Sequence, residues 1–167
     1  MSKIHLKNVR LSFPSLFKKA VFNGQEGKYE GTFLIDKKDE ATKTKIDAAI
    51  KALLVDAKIK VASDKICLKD GDEVEYDGYS GNWSLKASNS NRFTIIDRDK
   101  TPLTNDDGIL YAGCYVDAIV EFWAQNNNYG KRINANLLGV RFLKDGEPFG
   151  SGPIDVTEEF EDLDEDL

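Results

Sequence analysis

Residues 115–124, YVDAIVEFWA, form the most strongly patterned β-strand of the chain, because apolar and polar side chains alternate along most of it. A polar, turn-forming stretch follows, QNNNYG at 125–130, and residues 132–143 then supply a second apolar stretch of similar length. Two such runs joined by a short loop rich in Asn and Gly are typical of a β-hairpin. We therefore expect a long antiparallel hairpin here, closed by a turn at residues 144–148.

The N-terminal part of the chain predicts two more strands. Residues 4–13 alternate apolar and polar, but the polar pair Lys7-Asn8 shifts the alternation and indicates a β-bulge. Pro14 ends this strand, since proline cannot continue a β-ladder. Its apolar series is Ile4, Leu6, Val9, Leu11 and Phe13. Residues 28–36 form the second strand, with one face built from Tyr29, Gly31, Phe33 and Ile35.

A single long helix interrupts the β pattern at residues 39–57. Its apolar face has helical spacing and consists of Ile46, Ile50, Leu53, Leu54 and Ala57. Either Asp39 or Thr42 is suited to cap its N-terminus. Strand patterns return at 83–87 and 92–96, separated by turn signals. The chain is therefore expected to be mainly β with one helix, forming a small barrel with β-bulges.

Charge divides the chain into a body and a tail. The whole sequence has 167 residues and a net charge of −6, and its last 13 residues hold eight acids and no base. Without them, 23 basic side chains face 21 acidic ones, so the body carries about +2. Like charges in a block repel one another and stay solvated, which favours a disordered tail that either solubilises the protein or docks elsewhere. Its candidate interaction residues are Asp155, Glu158, Glu159, Phe160, Glu161, Asp162, Leu163, Asp164, Glu165, Asp166 and Leu167.

Composition and motifs argue against several classes of protein. No apolar run approaches the roughly 20 residues of a membrane span, and the N-terminus lacks the apolar core of a signal peptide. We therefore expect a cytoplasmic protein whose Cys67 and Cys114 stay reduced. With His5 as the single histidine, a zinc site or a His-dependent triad is disfavoured. We expect no catalytic site, no metal and no cofactor; a hydrolase using a carboxylate pair such as Asp97 and Asp99 is the weakest alternative.

Three segments interleave aromatic and basic side chains, the combination that binds single-stranded nucleic acid by stacking and phosphate contacts. The first contains Phe17, Lys18, Lys19 and Phe22. The second contains Tyr76, Tyr79, Trp83, Lys86, Arg92 and Phe93. The third contains Trp123, Tyr129, Lys131 and Arg132. Core packing of the rings is the competing interpretation for each. Tyr129, at a hairpin tip, is the best candidate for an exposed stacking residue.

The sequence also resembles a family of phage single-stranded DNA-binding proteins. The resemblance is carried by the order and spacing of the segments VRLSFP at 9–14, KYEGTFLI at 28–35, LKDGD at 68–72, KAS at 86–88, YAGCYV at 111–116 and LGVRFLKDGEP at 138–148. It implies an OB-fold-like five-stranded barrel with extra hairpins, spanning residues 1–154. It also implies a function: coating single-stranded DNA without sequence preference or catalysis, in phage replication or recombination within the infected bacterial host cell.

The resemblance gives the acidic tail, residues 155–167, two expected roles: recruiting replication or recombination proteins and occupying the DNA groove when DNA is absent. The chain ends in Leu167, whereas some such tails end in an aromatic residue. A homodimer is left open as an assembly. The alternative function is an acid-tailed β-barrel that binds proteins and never nucleic acid. Gathering of the predicted cations on one concave face would favour the DNA-binding protein, and scattering would favour the alternative.

Overall fold

The computed structural model describes residues 3–149 and residue 160. Within them the chain forms β1 (Lys3–Ser15), β2 (Val21–Phe22), β3 (Gln25–Glu26), β4 (Tyr29–Asp36), α1 (Glu40–Ala57), β5 (Leu68–Asp70), β6 (Asn82–Asn89), β7 (Thr94–Ile96), β8 (Tyr115–Asn127) and β9 (Gly130–Lys144). Short 3₁₀ turns lie at 63–65, 71–73 and 105–107. The predicted mainly β chain with one long helix is confirmed for this part of the protein.

Five strands close into a ring in the order β1-β4-β6-β9-β8, with β8 pairing back onto β1. The closing contact between β6 and β9 is parallel, at Ser88 and Asn136, and every other neighbour in the ring is antiparallel. The Asn89 amide also donates to the Leu137 carbonyl oxygen at 3.0 Å. This closed, five-stranded arrangement is the OB-fold-like barrel that was expected.

The barrel interior is filled by alternate residues of all five strands. Among the largest fully buried side chains are Phe33, Phe122, Leu6, Leu11 and Leu85. Helix α1 adds Ile46 and Ile50 to this core. Asp39 caps the helix by accepting hydrogen bonds from the backbone N–H and the hydroxyl of Thr42. The helix position and its cap thus agree with the sequence pattern.

Strand β1 contains two irregularities, one expected and one not. The register with β8 shifts between Leu6 and Val9, where Asn8 adopts a positive φ of 53°, as the polar pair predicted. A second shift lies between Ser12 and Ser15 in the pairing with β4. There Phe13 has a φ of 44° and its side chain is 56% exposed. The prediction that Phe13 continues the apolar series was therefore wrong, because its left-handed backbone conformation turns the side chain away from the core.

The hairpins are tighter and more numerous than the sequence pattern indicated. Strand β8 continues to Asn127 and β9 begins at Gly130, so only Asn128 and Tyr129 connect them, instead of residues 125–130. A small hairpin, β2–β3, also occupies the loop between β1 and β4. Its turn residues Asn23 and Gly24 both have positive φ, which is the requirement of a two-residue hairpin turn.

Candidate nucleic-acid interface

OB-fold barrels bind oligonucleotides on the outer face of their second and third strands, between the loop joining strands one and two and the loop joining strands four and five. In this ring those strands are β4 and β6, and the flanking segments are residues 16–28 and the β8–β9 hairpin. Leu11, Phe33 and Leu85 are paired neighbours and point inward. The alternate residues therefore form the outer face, with Thr32 and Lys86 in one row and Ser84 and Lys69 in the next. Ser12, opposite Thr32, points to the same side but is buried, and its hydroxyl accepts a hydrogen bond from Tyr79.

Three predicted cations contact the first two residues of β4, two of them at Tyr29 and one at Glu30. The Lys19 amino group lies 5.8 Å from the centre of the Tyr29 ring, and Arg92 Nε donates to the Tyr29 hydroxyl at 3.4 Å. Lys86 forms an ion pair with the next residue, Glu30, at 3.2 Å. The hydrogen bond that Arg92 donates to the Tyr29 hydroxyl raises the pKa of Arg92, which favours the charged guanidinium. A positive cluster thus surrounds the first two residues of β4.

Phe93 joins this cluster by packing edge-on against Tyr29, with 6.3 Å between the ring centres. Both rings lie against or within the core, so they support the cations rather than present a wide stacking surface. Tyr29 and Lys69 were missed in the sequence analysis. The alternation of β4 assigned Tyr29 to the core, and no sequence signal shows that cations from two other segments converge on it.

The loop of residues 16–28 carries the first predicted segment. Phe17 is half-buried and packs against the core, whereas Lys18 is exposed. Lys19 also forms an ion pair with Glu26 of β3 at 3.4 Å. Phe22 belongs to β2, and its side chain lies outside the described part of the structure. Of the two cations predicted in this loop, Lys18 is therefore exposed, and Lys19 is shared between Tyr29 and a carboxylate.

The β8–β9 hairpin carries the third predicted segment. Tyr129 is 88% exposed, and its backbone N–H donates to the Asn127 side chain at 2.9 Å, which fixes the turn. Lys131 is exposed and Arg132 is half-exposed. Trp123 lies on the outer face opposite Asn134 and is partly exposed. An exposed ring next to two cations is what stacking and phosphate binding require, and this pair of cations lies apart from the cluster at Tyr29.

Trp83 is occupied by a different set of contacts. Its ring packs against the core, and the amino groups of Lys37 and Lys43 lie 4.7 and 4.6 Å from its centre. Lys37 also binds Asp70 and Asp72, at 2.6 and 2.5 Å. This network fastens the end of β4 to the turn that precedes β6. Trp83 points inward along β6 and Lys86 outward, so the two do not form one stacking site.

The remaining predicted aromatics, Tyr76 and Tyr79, form a separate cluster with Phe13. Ring centres are 5.1 Å apart for Phe13 and Tyr76, and 5.3 Å apart for Tyr76 and Tyr79. Tyr79 is only 5% exposed, its hydroxyl donates to Ser12 Oγ at 3.0 Å, and burial raises its pKa. Tyr79 thus packs on the buried side of the cluster, whereas Phe13 and Tyr76 form its surface and are each 56% exposed.

The structure offers little support for metal-dependent or carboxylate catalysis. Among the described residues no three His, Cys, Asp or Glu side chains are grouped as metal ligands. Asp97 and Asp99 belong to a tight turn, and a hydrogen bond from Thr101 lowers the pKa of Asp99, which is the opposite of what a general acid needs. Burial raises the pKa of Cys67 to about 12, so this thiol is unreactive. No helix in the described part is long and apolar enough to cross a membrane.

The predicted tail, residues 155–167, lies outside the described residues except for Phe160, which is 75% exposed. The interaction roles expected of the tail therefore remain predictions for Asp155, Glu158, Glu159, Glu161, Asp162, Leu163, Asp164, Glu165, Asp166 and Leu167. The last described segment before it is well anchored. The backbone N–H of Phe149 donates to the Ala112 carbonyl at 3.1 Å, and Arg10 donates to the carbonyls of Gly113 and Glu147.

Solved structures with this fold include single-stranded DNA-binding proteins of two phages. The protein from bacteriophage Enc34 is 37% identical and superposes with a TM-score of 0.80 over 95% of this chain and 90% of that one. Its structure in complex with single-stranded DNA gives a TM-score of 0.81 over 89% of each chain. The gp2.5 protein of bacteriophage T7 covers 98% of this chain and 99% of that one with a TM-score of 0.64; at 12% identity it supports the fold alone.

Sequence comparison gives a consistent result. Protein p50 of Acyrthosiphon pisum secondary endosymbiont phage 1 is 44% identical over 173 aligned positions, covering 96% of this chain and 94% of p50. The family model described as the Enterobacter phage Enc34 ssDNA-binding protein matches residues 2–167. The chain therefore belongs to the family of the Enc34 phage single-stranded DNA-binding protein.

Proposed function

We propose that this protein binds and coats single-stranded DNA without sequence preference and without catalysis, in phage replication or recombination in the cytoplasm of the infected cell. The observation that carries the proposal is the convergence of Lys19, Lys86 and Arg92 on Tyr29 and Glu30. They meet beside the face that OB-folds use for oligonucleotides. Family membership supports the same function, since the Enc34 relative has been solved with single-stranded DNA.

The path proposed for the strand begins at the loop of residues 16–28, crosses the outer face of β4 and β6, and ends at the β8–β9 hairpin. Cations for phosphate groups occur at each stage: Lys18 and Lys19, then Arg92, Lys86 and Lys69, then Lys131 and Arg132. Trp123 and Tyr129 are the rings of the hairpin on which bases would stack. Contacts of this kind read no base edges, so the binding would tolerate any sequence.

The acidic tail is proposed to compete with DNA for these cations and to recruit other proteins. Eight carboxylates joined to a body of about +2 would be present at high local concentration near the DNA path. DNA, with a denser line of negative charge, would displace them and leave the tail free for partners. Phe160 is exposed, as a residue that anchors a docking peptide must be.

The test is fluorescence anisotropy of a labelled oligo-dT with the full chain and with residues 1–154, over a series of salt concentrations. We expect salt-sensitive binding by both proteins, with tighter and less salt-dependent binding by the truncated one, because the competing intramolecular anion is gone. Equal affinity of the two proteins would contradict competition by the tail. Absence of binding by both, with folding confirmed by circular dichroism, would reject DNA binding in favour of the protein-interaction module. An oligo-rU arm determines whether RNA is bound equally well.

A further inference from the structure

The cluster of Phe13 and Tyr76 lines an open groove that the proposed DNA path does not use. We call it the aromatic groove; it is lined by Ser12, Phe13, Pro14, Glu75, Tyr76, Asp77, Ala112 and Phe149. Phe13, Tyr76 and the nearby Val74 are three of the few large apolar side chains that are exposed among the described residues. Exposed apolar side chains grouped in one place mark an interaction site more often than single ones do.

The groove is held open by contacts on three sides. The positive φ of Phe13 turns its ring outward, and the buried Tyr79 supports it at a ring distance of 6.4 Å. The Phe149 ring packs directly on the backbone of Gly78, and the Arg10 guanidinium lies 4.3 Å from the centre of that ring. The positive φ of Phe13 coincides with the register shift of β1 between Ser12 and Ser15, so this irregularity in the strand is what brings the ring to the surface.

The charge around the aromatic groove is negative. Glu73, Glu75 and Asp77 are exposed along the segment that forms one wall. Arg10, a cation close to the groove, already donates to the carbonyls of Gly113 and Glu147. Carboxylates in this position repel a phosphate chain and the protein's own acidic tail alike. The groove therefore favours an occupant that brings an aromatic ring together with positive charge.

The tip of the β8–β9 hairpin has this chemistry. Tyr129 is the most exposed large apolar side chain among the described residues, and Lys131 and Arg132 follow it after Gly130. The pairing of β8 with β1 ends at Glu121, opposite Lys3, so residues 122–127 extend past β1 by about 20 Å. Phe13 lies ten positions from Lys3 toward the other end of β1, about 30 Å away. A tip and a groove at opposite ends of one molecule cannot meet, whereas those of two molecules in line can.

We propose that the hairpin tip of one copy docks in the aromatic groove of a second copy, with Tyr129 against Phe13 and Tyr76 and with Lys131 and Arg132 facing Glu75 and its neighbours. Because the two surfaces differ, the contact is head-to-tail and extends into an open chain of molecules rather than a closed dimer. Such a chain aligned on single-stranded DNA would bind cooperatively; this part rests on the proposed function. The contact between copies does not require DNA.

The experiment measures cooperativity with the full-length protein and its charge-reversed variants. Binding is followed on oligo-dT of about 10 nucleotides, which suits a single copy, and of about 60 nucleotides, which holds several. We expect E73K/E75K to lower the cooperativity constant on the long strand at least about tenfold and to leave binding to the short strand unchanged. Because Tyr129, Lys131 and Arg132 also lie on the proposed DNA path, Y129A and K131E/R132E are tested by sedimentation velocity without DNA, and each is expected to abolish the association between copies. The combination of K131E/R132E with E73K/E75K restores complementary charge and is expected to restore this association. V55A, which truncates an exposed apolar residue on α1, is the matched control and changes nothing.

Each result has one meaning. If E73K/E75K leaves cooperativity intact, or if the combined charge reversal fails to restore association without DNA, the docking contact is wrong. If Y129A associates without DNA as the wild type does, Tyr129 does not dock on a second copy. Failure of the wild type to bind the short strand would contradict the proposed function instead. Sedimentation velocity without DNA then still decides the contact between copies, because the wild type should associate at high concentration and E73K/E75K should not.

Discussion

Replacing Arg92 with glutamine tests the proposed DNA path most directly. Lys19 and Lys86 already face Glu26 and Glu30, so a phosphate that binds either lysine must compete with a carboxylate. Arg92 has only the neutral Tyr29 hydroxyl as its hydrogen-bond partner among the described residues. Its full positive charge is therefore available to DNA, and its removal should give the clearest effect of the three.

The expected magnitude follows from counterion release. One cation–phosphate contact on single-stranded DNA changes the slope of log K against log salt by about 0.7, so R92Q should lower affinity about fivefold for each tenfold decrease in salt below about 1 M. The assay is anisotropy of a short oligo-dT between 0.05 and about 0.5 M salt, a range over which this electrostatic term dominates. E30Q should act in the opposite direction, tightening binding, because it releases Lys86 from its ion pair.

The control is K45Q, on helix α1. Lys43 of that helix contacts Trp83, which pairs with Ile35 six positions along β4 from Tyr29, or about 20 Å from the cluster. K45Q removes the same charge and should leave the salt slope nearly unchanged. If R92Q has the wild-type slope and affinity while the wild type binds DNA, then Arg92 does not contact phosphate and the path across β4 and β6 is wrong.

Three further predictions concern the scaffold. G113A should lower the free energy of unfolding in urea by at least about 2 kcal/mol, because the added Cβ would lie 2.3 Å from the Glu147 carbonyl oxygen at a φ of +111°. The control G81A also has a positive φ but open space around its Cβ, and it should cost about 1 kcal/mol. Equal losses for the two variants would contradict the steric argument. Y79F should cost about 1 kcal/mol through loss of the hydrogen bond to Ser12; an unchanged urea midpoint would mean that the hydroxyl contributes nothing. Lys37 lowers the pKa of Asp70 and Asp72 below their ordinary 3.8. The stability that these ion pairs confer is therefore complete above about pH 4 and is lost as the pH falls through the lowered values. The difference in melting temperature between wild type and K37M should shrink in acid, and a constant difference would refute the linkage.

The strands and the helix could be predicted from the sequence because they depend on local periodicity. The bulge at Asn8 and the cap at Asp39 follow from single polar residues at positions where a regular pattern breaks. The outward turn of Phe13 could not be read in this way, since an apolar residue in register with Leu11 is expected to face the core. Only the φ of 44° ahead of Pro14 reverses it.

The predicted site was harder to read because it is assembled across the barrel. Lys19, Lys86 and Arg92 come from three separate segments: the pairing of β4 with β6 brings Lys86 and Arg92 to the start of β4, and the loop of residues 16–28 brings Lys19 there. Composition indicated basic and aromatic residues as candidates but could not separate exposed rings from supporting ones. Tyr129 and Tyr79 look alike in sequence, yet one is the most exposed ring in the described chain and the other is nearly buried.

The order in which the strands close the ring has a consequence for how the protein is made. Strand β1 pairs with β8, so the first strand to leave the ribosome waits for more than 100 further residues before that edge is covered. The ring itself closes only when β9, the last strand, reaches β6. Long-range pairing of this kind slows folding, and an uncovered strand edge is prone to aggregate. When the complete chain refolds, we expect the rate-limiting step to be the pairing of the β8–β9 hairpin with β1 and β6, which follows the formation of helix α1.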